Sequence, residues 1–289
     1  MCDSTMSAPV MARRHMAYMP KADVLAARPA LRLVGGIAFA PYGVARCPSS
    51  RLGMTGSDDG RKLDDVPNDH VAIDGYVASG KTTVSKQLAA ATGRLYLDTG
   101  AMYRAVAYLA LNNGVELDNE LALLAMLAHH TLHIVADDSV TAGYRVLIDD
   151  IDTGERLFDP DVAASVSAVA ALPGIRTEMV ERQRAIARTG AVVMAGRDIG
   201  TVVLPDARNK FFLTASVDER ARRRQTEFLE RGLNVPLDEV RAQIVERDRL
   251  DTTRATAPLR PAPDAITIDS TDMQADDVIA RMRAAMERA

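Results

Sequence analysis

Two glycines five residues apart, directly behind a short apolar run, constrain this chain more than any other feature. They lie in Val71-Ala-Ile-Asp-Gly75-Tyr76-Val77-Ala78-Ser79-Gly80-Lys81-Thr82-Thr83. Val71 to Ile73 reads as a buried strand, and the pattern from Thr83 onward reads as a helix. Between them, Gly75-x-x-x-x-Gly80-Lys81-Thr82 is the phosphate-binding loop spacing. Turn glycines let backbone N–H groups converge on phosphate oxygens, and the following helix presents its positive end. Lys81 adds a mobile charge near the outer phosphates, and the Thr82 hydroxyl suits a magnesium ligand. An ordinary strand-turn-helix is the competing reading; the strand-loop-helix context favours the phosphate loop. Its interior, Tyr76-Val77-Ala78, is bulkier than such loops carry. If position 78 needs positive φ, alanine there costs about 1 kcal/mol more than glycine.

The 289 residues, 47% hydrophobic, suffice for one α/β domain with an insertion. Residues 1–56 carry seven Lys and Arg against two acids, which leaves the other 233 residues at net −9. An acidic body argues against a nucleic-acid binder held by general basicity, so an anionic ligand must be gripped by local arginines. Both cysteines, Cys2 and Cys47, fall in the N-terminal stretch. A disulfide framework therefore does not build the fold, and a reducing, cytoplasmic setting is the default. No apolar run reaches the roughly 20 residues of a membrane helix. Residues 1–56 read as a disordered extension, with targeting and secretory signals as the other options. Residues 57–69 read as a solvated linker, and the folded domain as 70–289.

Along that domain, a helix over Thr83–Thr92 should end at Gly93. A strand over Arg94–Asp98 leads into a helix from Thr99, which suits an N-cap, to Leu111. Another helix covers about Asn119–His130. The period then changes to two around Asp137 to Gly143, which predicts an antiparallel hairpin and a small inserted subdomain over about 129–170. His129, His130 and His133 cluster there without cysteines or matched carboxylates, so surface histidines are favoured over a metal site. Helices at Asp161–Ala171 and Ile175–Arg188 are split by Pro173-Gly174. Ala191–Ala195 is a wholly apolar strand running into Gly196-Arg197-Asp198. A strand at Asn209–Thr214, an Arg-rich helix at Val217–Arg231, a helix at Pro236–Asp251, a strand at Ala265–Asp269 and a helix at Ala275–Arg288 complete the chain. Strands alternating with helices behind a phosphate loop predict a doubly wound parallel sheet with helices on both faces.

Ligands in such sheets bind beyond the carboxyl ends of the strands. That rule selects Lys81 and Thr82, then Asp98, Thr99 and Arg104, then Arg197 and Asp198. Arg247, Asp251 and Arg254 fall at i, i+4 and i+7, one helical face, with a solvated salt-bridge face as the alternative.

From about residue 70 to 289 the chain resembles bacterial cytidylate kinase, a nucleoside monophosphate kinase family. The resemblance is carried by Asp98-Thr-Gly-Ala-Met-Tyr-Arg104, Gly196-Arg-Asp-Ile-Gly-Thr-Val-Val-Leu-Pro205, Glu246-Arg-Asp248 with Asp251 and Arg254, and Ala257-Pro-Leu followed by Ala262-Pro-Asp-Ala265. It implies ATP-dependent phosphorylation of CMP and dCMP with Mg²⁺, by a monomer without nucleic-acid or membrane partners. It also implies that Arg104 and Arg197 hold the CMP phosphate. Thr99 (usually a serine in the family), Ser167, Arg176, Asp198 and Arg254 would surround the cytosine, Arg247 and Asp251 would meet the sugar, and Tyr103 would belong to the same substrate site. The phosphate loop from Gly75 through Thr83 would take ATP beneath a lid over about 217–235, with Arg220 and Arg224 closing on it. Lys81, Arg197 and Arg254 would act on the transferring phosphoryl.

Residue chemistry agrees with this. An aspartate near N4 and an arginine near O2 read cytosine, whereas uracil would set a carbonyl against the carboxylate. Tyr76-Val77-Ala78, Ala195 (an acid in the family) and Leu250 depart from the pattern. The first two bear on the ATP half, so a nucleotide-binding sensor or scaffold with weakened ATP handling is the alternative, followed by a kinase of another small molecule. Asn209-Lys210 lacks the guanine-reading aspartate of a GTPase switch.

Overall fold

The computed structural model describes residues 69–137, 140 and 143–288. The expectations for 1–56, and for the linker up to residue 68, fall outside the described residues.

Strand β1 (Val71–Gly75) leads through the glycine loop into α1 (Lys81–Thr92). The helix begins earlier than its periodicity indicates, because Gly80 at φ 88 turns the chain straight into it; left-handed Gly93 closes it. Then come β2 (Leu95–Asp98) and α2 (Thr99–Asn113). The N-cap of α2 is Asp98 rather than Thr99: the Asp98 carboxylate accepts from Gly100 N at 2.9 Å. The Thr99 hydroxyl donates across the sheet to Ala195 O at 3.0 Å. Helix α3 (Glu120–Ala128) is capped by the Asn119 side chain.

Three strands, β3 (Leu132–Ala136), β4 (Tyr144–Ile148) and β5 (Ile151–Asp152), form a separate antiparallel sheet in that order. The hairpin is the one the period of two predicts; β5 is too short to carry a period. After a 3-10 turn at Gly154–Phe158 come α4 (Pro160–Ala171) and α5 (Pro173–Ala187). Pro173 opens α5, where its missing N–H is not needed, instead of standing between two helices.

Strand β6 (Val192–Gly196) enters a π-helical turn at Ile199–Val203. Next are β7 (Asn209–Thr214), α6 (Val217–Glu230), α7 (Leu237–Thr253), β8 (Ile266–Asp269) and α8 (Ala275–Met286). Helix α7 ends before Arg254, whose ψ of 141° is extended, so Arg254 does not continue the Arg247–Asp251 helical face.

The parallel sheet runs β2-β6-β1-β7-β8. Every residue of β1 and β6 is buried, as a parallel strand covered on both faces requires. The strand order reverses about β1, so the crevice beyond its carboxyl end is a topological switch point. Gly75, Asp98 and Gly196 all end strands on that side. Register aligns Ala195 with both Ile73 and Asp98, and Gly196 with Asp74. Among the described residues no helix is long and apolar enough to cross a membrane.

Candidate functional site

The loop behind β1 adopts the strained geometry its sequence implies. Ala78 sits at φ 56, in the left-handed region, which disfavours alanine by about 1 kcal/mol. A Cβ on Gly75 would stand 2.0 Å from Leu213 O, so only glycine lets β1 pass β7 there. Ser79 Oγ donates to Tyr76 O at 2.9 Å, and Lys81 Nζ donates to the same carbonyl and lies 3.4 Å from Ser79 Oγ. Lys81 is buried. Burial and then Arg197 push its pKa well below the ordinary lysine value, against the pull of Asp74, Asp98 and Asp251. Thr82 and Thr83 face solvent at the start of α1.

At the end of β2, Asp98 holds Arg104. Arg104 Nη2 donates to Asp98 Oδ2 at 2.8 Å and to Tyr144 Oη at 3.0 Å, while the Tyr144 hydroxyl lies 2.9 Å from Asp98 Oδ2. The Arg104 guanidinium also lies 5.0 Å from the Phe158 ring centroid. Burial raises the Asp98 pKa, but Arg104, Tyr144 and Gly100 outweigh it and hold the carboxyl below its usual range. Burial lowers the Arg104 pKa; Asp98 and Tyr144 reverse that and raise it. The antiparallel sheet thus supplies a hydroxyl, from β4, to a strand-end ion pair.

At the end of β6, Arg197 Nε donates to Asp251 Oδ2 at 2.8 Å, and Arg247 Nε lies 3.8 Å from the same oxygen. Asp198 and Arg176 form a buried ion pair, with Arg254 Nη2 at 3.9 Å from Asp198. Arg176 also lies 5.7 Å from the Tyr103 ring centroid, and burial pushes the Tyr103 phenol up to about 12. Ser167 is half-buried on α4, whose Ala163 carbonyl accepts from Arg247 Nη1 at 3.5 Å. Among the described residues, Arg104 Nε, Arg247 Nε and Arg254 Nη2 are buried without a hydrogen-bond partner. Arg247 is lowered to about 10, first by burial, then by Arg197, Arg104 and Arg224, with Asp251 opposing. Cations crowded together with unspent donors make a surface that an anion would relieve.

The helix pair α6 and α7 treats its arginines unequally. Arg220 is almost wholly buried and takes Asp248 with two bonds at 3.1 and 2.7 Å. Arg224 pairs with Glu227 at 2.6 Å and lies 4.5 Å from the Phe228 ring centroid.

Asp74, in the buried strand just before Gly75, has a larger part than the sequence reading allotted to it. Its carboxylate accepts from Ile199 N and Gly200 N at 2.8 Å each, tying β1 to the turn after Arg197 and Asp198. The signal was a charge inside an apolar run. Tyr144 and Asp248 carried no local signal, because their partners lie 46 and 28 residues away.

Among the described residues no group of three or more His, Cys, Asp or Glu could hold a metal ion. His130 pairs instead with Asp149 at 2.6 Å. Asp74 and Asp98 are both spent on N–H donors, and Ala195 brings no carboxylate. Thr82 remains as a hydroxyl beside the loop, which fits a Mg²⁺ that keeps most of its waters and is otherwise bound through phosphates. A cavity of 240 Å³ between Arg94, Arg208 and Arg283 lies at the opposite, amino ends of the strands.

A glycine-turned loop at the switch point of a parallel sheet, faced by crowded arginines, defines a phosphate-loop α/β protein built for anionic ligands. The sequence model of the family described as Cytidylate kinase matches residues 71–288, and the chain belongs to that family. It is 48% identical to the Cytidylate kinase of Geobacillus kaustophilus (strain HTA426) over 212 residues, 73% of this chain and 93% of that protein. Identity to the Cytidylate kinase of Pelotomaculum thermopropionicum is 47% over 217 residues, 75% of this chain and 94% of the relative. The Bifunctional pantoate ligase/cytidylate kinase of Synechococcus sp. (strain JA-2-3B'a(2-13)) is 49% identical over 208 residues, 72% of this chain; the chain spans 38% of that relative's length.

Proposed function

We propose that this chain transfers the terminal phosphoryl group of ATP to CMP and dCMP, giving ADP with CDP or dCDP. The observation that carries the reading is the set of buried guanidinium donors, Arg104 Nε, Arg247 Nε and Arg254 Nη2, that have no hydrogen-bond partner among the described residues. Family membership and the names of the relatives support the choice of nucleotide.

The acceptor monophosphate would meet Arg104 and Arg197, with the sugar against Arg247 and Asp251. Its base would lie beside Tyr103, with Thr99, Ser167, Arg176, Asp198 and Arg254 around the cytosine edge. Asp198 accepts from N4 and an arginine donates to O2, which uracil cannot match without opposing two acceptors. The loop from Gly75 to Thr83 would cradle the donor phosphates, with Lys81 on the outer ones. The antiparallel subdomain over about 129–170 serves the acceptor side, and α6 to about residue 235 covers the donor.

In the reaction, an acceptor phosphate oxygen forms the new bond to the terminal phosphorus as the bridging bond to ADP breaks. That oxygen is already anionic, so no general base is needed. The chain positions both nucleotides and offsets charge on the moving group through Lys81, Arg197 and Arg254. Thr82 would be the protein ligand of a Mg²⁺ bound with ATP, which would supply neutralisation of phosphate charge. The protein acts as a monomer in the cytoplasm, with small nucleotides as its partners and neither nucleic acid nor membrane.

Coupled detection of ADP release, with Mg·ATP and each of CMP, dCMP, UMP and AMP, tests the reading. Turnover should be high with the two cytosine nucleotides and low with the others. No ADP release with CMP, or equal rates with AMP, would refute it.

A further inference from the structure

The bulky interior of the phosphate loop has a partner in the structure. Val77 and Ala78 pack against Ala221 of α6 and Val240 and Ile244 of α7, which form a small apolar cluster separate from the main core. Tyr76 stands edge-on to Phe212 of β7, with ring centroids 5.7 Å apart, and the Arg220 guanidinium lies 5.0 Å from its centroid. Arg220 is 3% exposed. Beyond its two bonds to Asp248, its Nε donates to Ala215 O at 3.0 Å and its Nη1 to Val77 O at 3.4 Å. One guanidinium on α6 therefore joins the residue after β7, and α7, to the loop, and most of its N–H groups are spent in doing so.

A second tie runs beside it. Arg223 Nη1 and Nη2 donate to Ser270 Oγ and Ser270 O at 3.2 and 2.6 Å, and Ser270 Oγ lies 3.1 Å from Ser79 O. Both ties end on loop carbonyls, Val77 O and Ser79 O, and consume none of the loop's N–H groups; of those, Ser79 N donates within the loop to Tyr76 O at 3.4 Å. With alanine at φ 56, this loop also needs contacts from outside to offset its strain.

We propose that Arg220 and Tyr76 are positioning residues that hold the phosphate loop from outside, so that donor binding depends on how α6 and α7 are seated. For the donor's identity as ATP this rests on the function proposed above; the clamp itself does not. Arg220 thereby acts on the donor through the loop rather than by touching phosphate.

The test uses Arg220→Gln, Tyr76→Leu and the double variant in the full chain. Amide hydrogen exchange of residues 76–80 is followed without nucleotide, and Mg·ATP and CMP are titrated separately. Each single variant should speed exchange across the loop and weaken Mg·ATP about tenfold, with CMP affinity held within about twofold. The double variant should lose no more than the worse single one, because both break the same clamp. Unchanged exchange in the single variants would overturn the proposal. So would additive losses, which would assign Arg220 a contact of its own with phosphate. If Arg220→Gln does not fold, Tyr76→Leu, at a half-buried ring, decides by its exchange and its Mg·ATP titration alone. A wild-type chain that binds no Mg·ATP would refute the donor reading, and loop exchange would still decide the clamp.

Discussion

Replacing Asp74 by asparagine should remove a pH slope from the stability of this chain. Asp74 is 3% exposed at the end of β1, where Ile199 N and Gly200 N donate to it. Burial raises its pKa from 3.8 to about 6; Asp198 adds to the rise, while the two N–H groups and Lys81 oppose it. A raised folded-state value means that the folded chain binds the proton more tightly than the unfolded one. The stabilising contribution is therefore fully present below 3.8, and is lost as pH rises through the folded value near 6. At 1.36 kcal/mol per pH unit of differential binding, the part lost between about pH 5 and about pH 7 is about 1 kcal/mol. Neutral asparagine has no such dependence. Urea unfolding of both proteins across that interval should show the wild type falling by about 1 kcal/mol relative to Asp74→Asn. His70 titrates alike in both proteins and drops out of the difference. Parallel stability curves would refute the buried charge. Asparagine can accept only one of the two N–H groups without loss, so the turn behind Arg197 and Asp198 should also loosen. The value of kcat/KM for CMP should then fall by about tenfold or more.

Tyr144→Phe deletes the hydroxyl shared by Asp98 and Arg104; it should raise KM for CMP about three- to tenfold and leave KM for Mg·ATP alone, as steady-state kinetics with each substrate varied would reveal. Asp198→Asn should narrow the CMP-over-UMP preference; an unchanged ratio would count against its reading of cytosine. The His70 ring is buried with neither nitrogen partnered among the described residues, and burial lowers its pKa from 6.5, so its contribution to stability is present above 6.5 and lost as pH falls below it. His70→Leu should narrow the gap in Tm between about pH 7 and about pH 5, a comparison that scanning calorimetry provides.

The parallel sheet is legible because its inner strands β1 and β6 are short, largely apolar and buried throughout, and because Gly75 and Gly196 punctuate them. The start of α1 is not: Lys81 and Thr82 belong to both the loop pattern and the helix, and only the left-handed Gly80 decides between them. Thr99 looks like a cap by residue type, yet Asp98 wins since its carboxylate reaches Gly100 N while serving Arg104. Arg247 and Asp251 share a helical face as their spacing predicts; Arg254 lies past the helix end, which one-dimensional spacing cannot register. Residue type sets the cost of alanine at position 78 if φ is positive there, and the φ of 56 makes that cost real. The identity of what offsets it does not follow from residue type, because Asp248 and Ala221 become neighbours of the loop only once two later helices have folded back.

The strand order has a consequence for how this protein is made. Among the described strands β1 pairs with β6 and β7, whose residues leave the ribosome after the whole of β2 to α5. Until residue 196 has emerged, neither of these partners of β1 exists, and the second, β7, is complete only at residue 214. Synthesis thus passes through a long interval in which an aggregation-prone segment depends on chaperones or on speed, and the slow step of refolding in vitro should be closure of this non-local sheet.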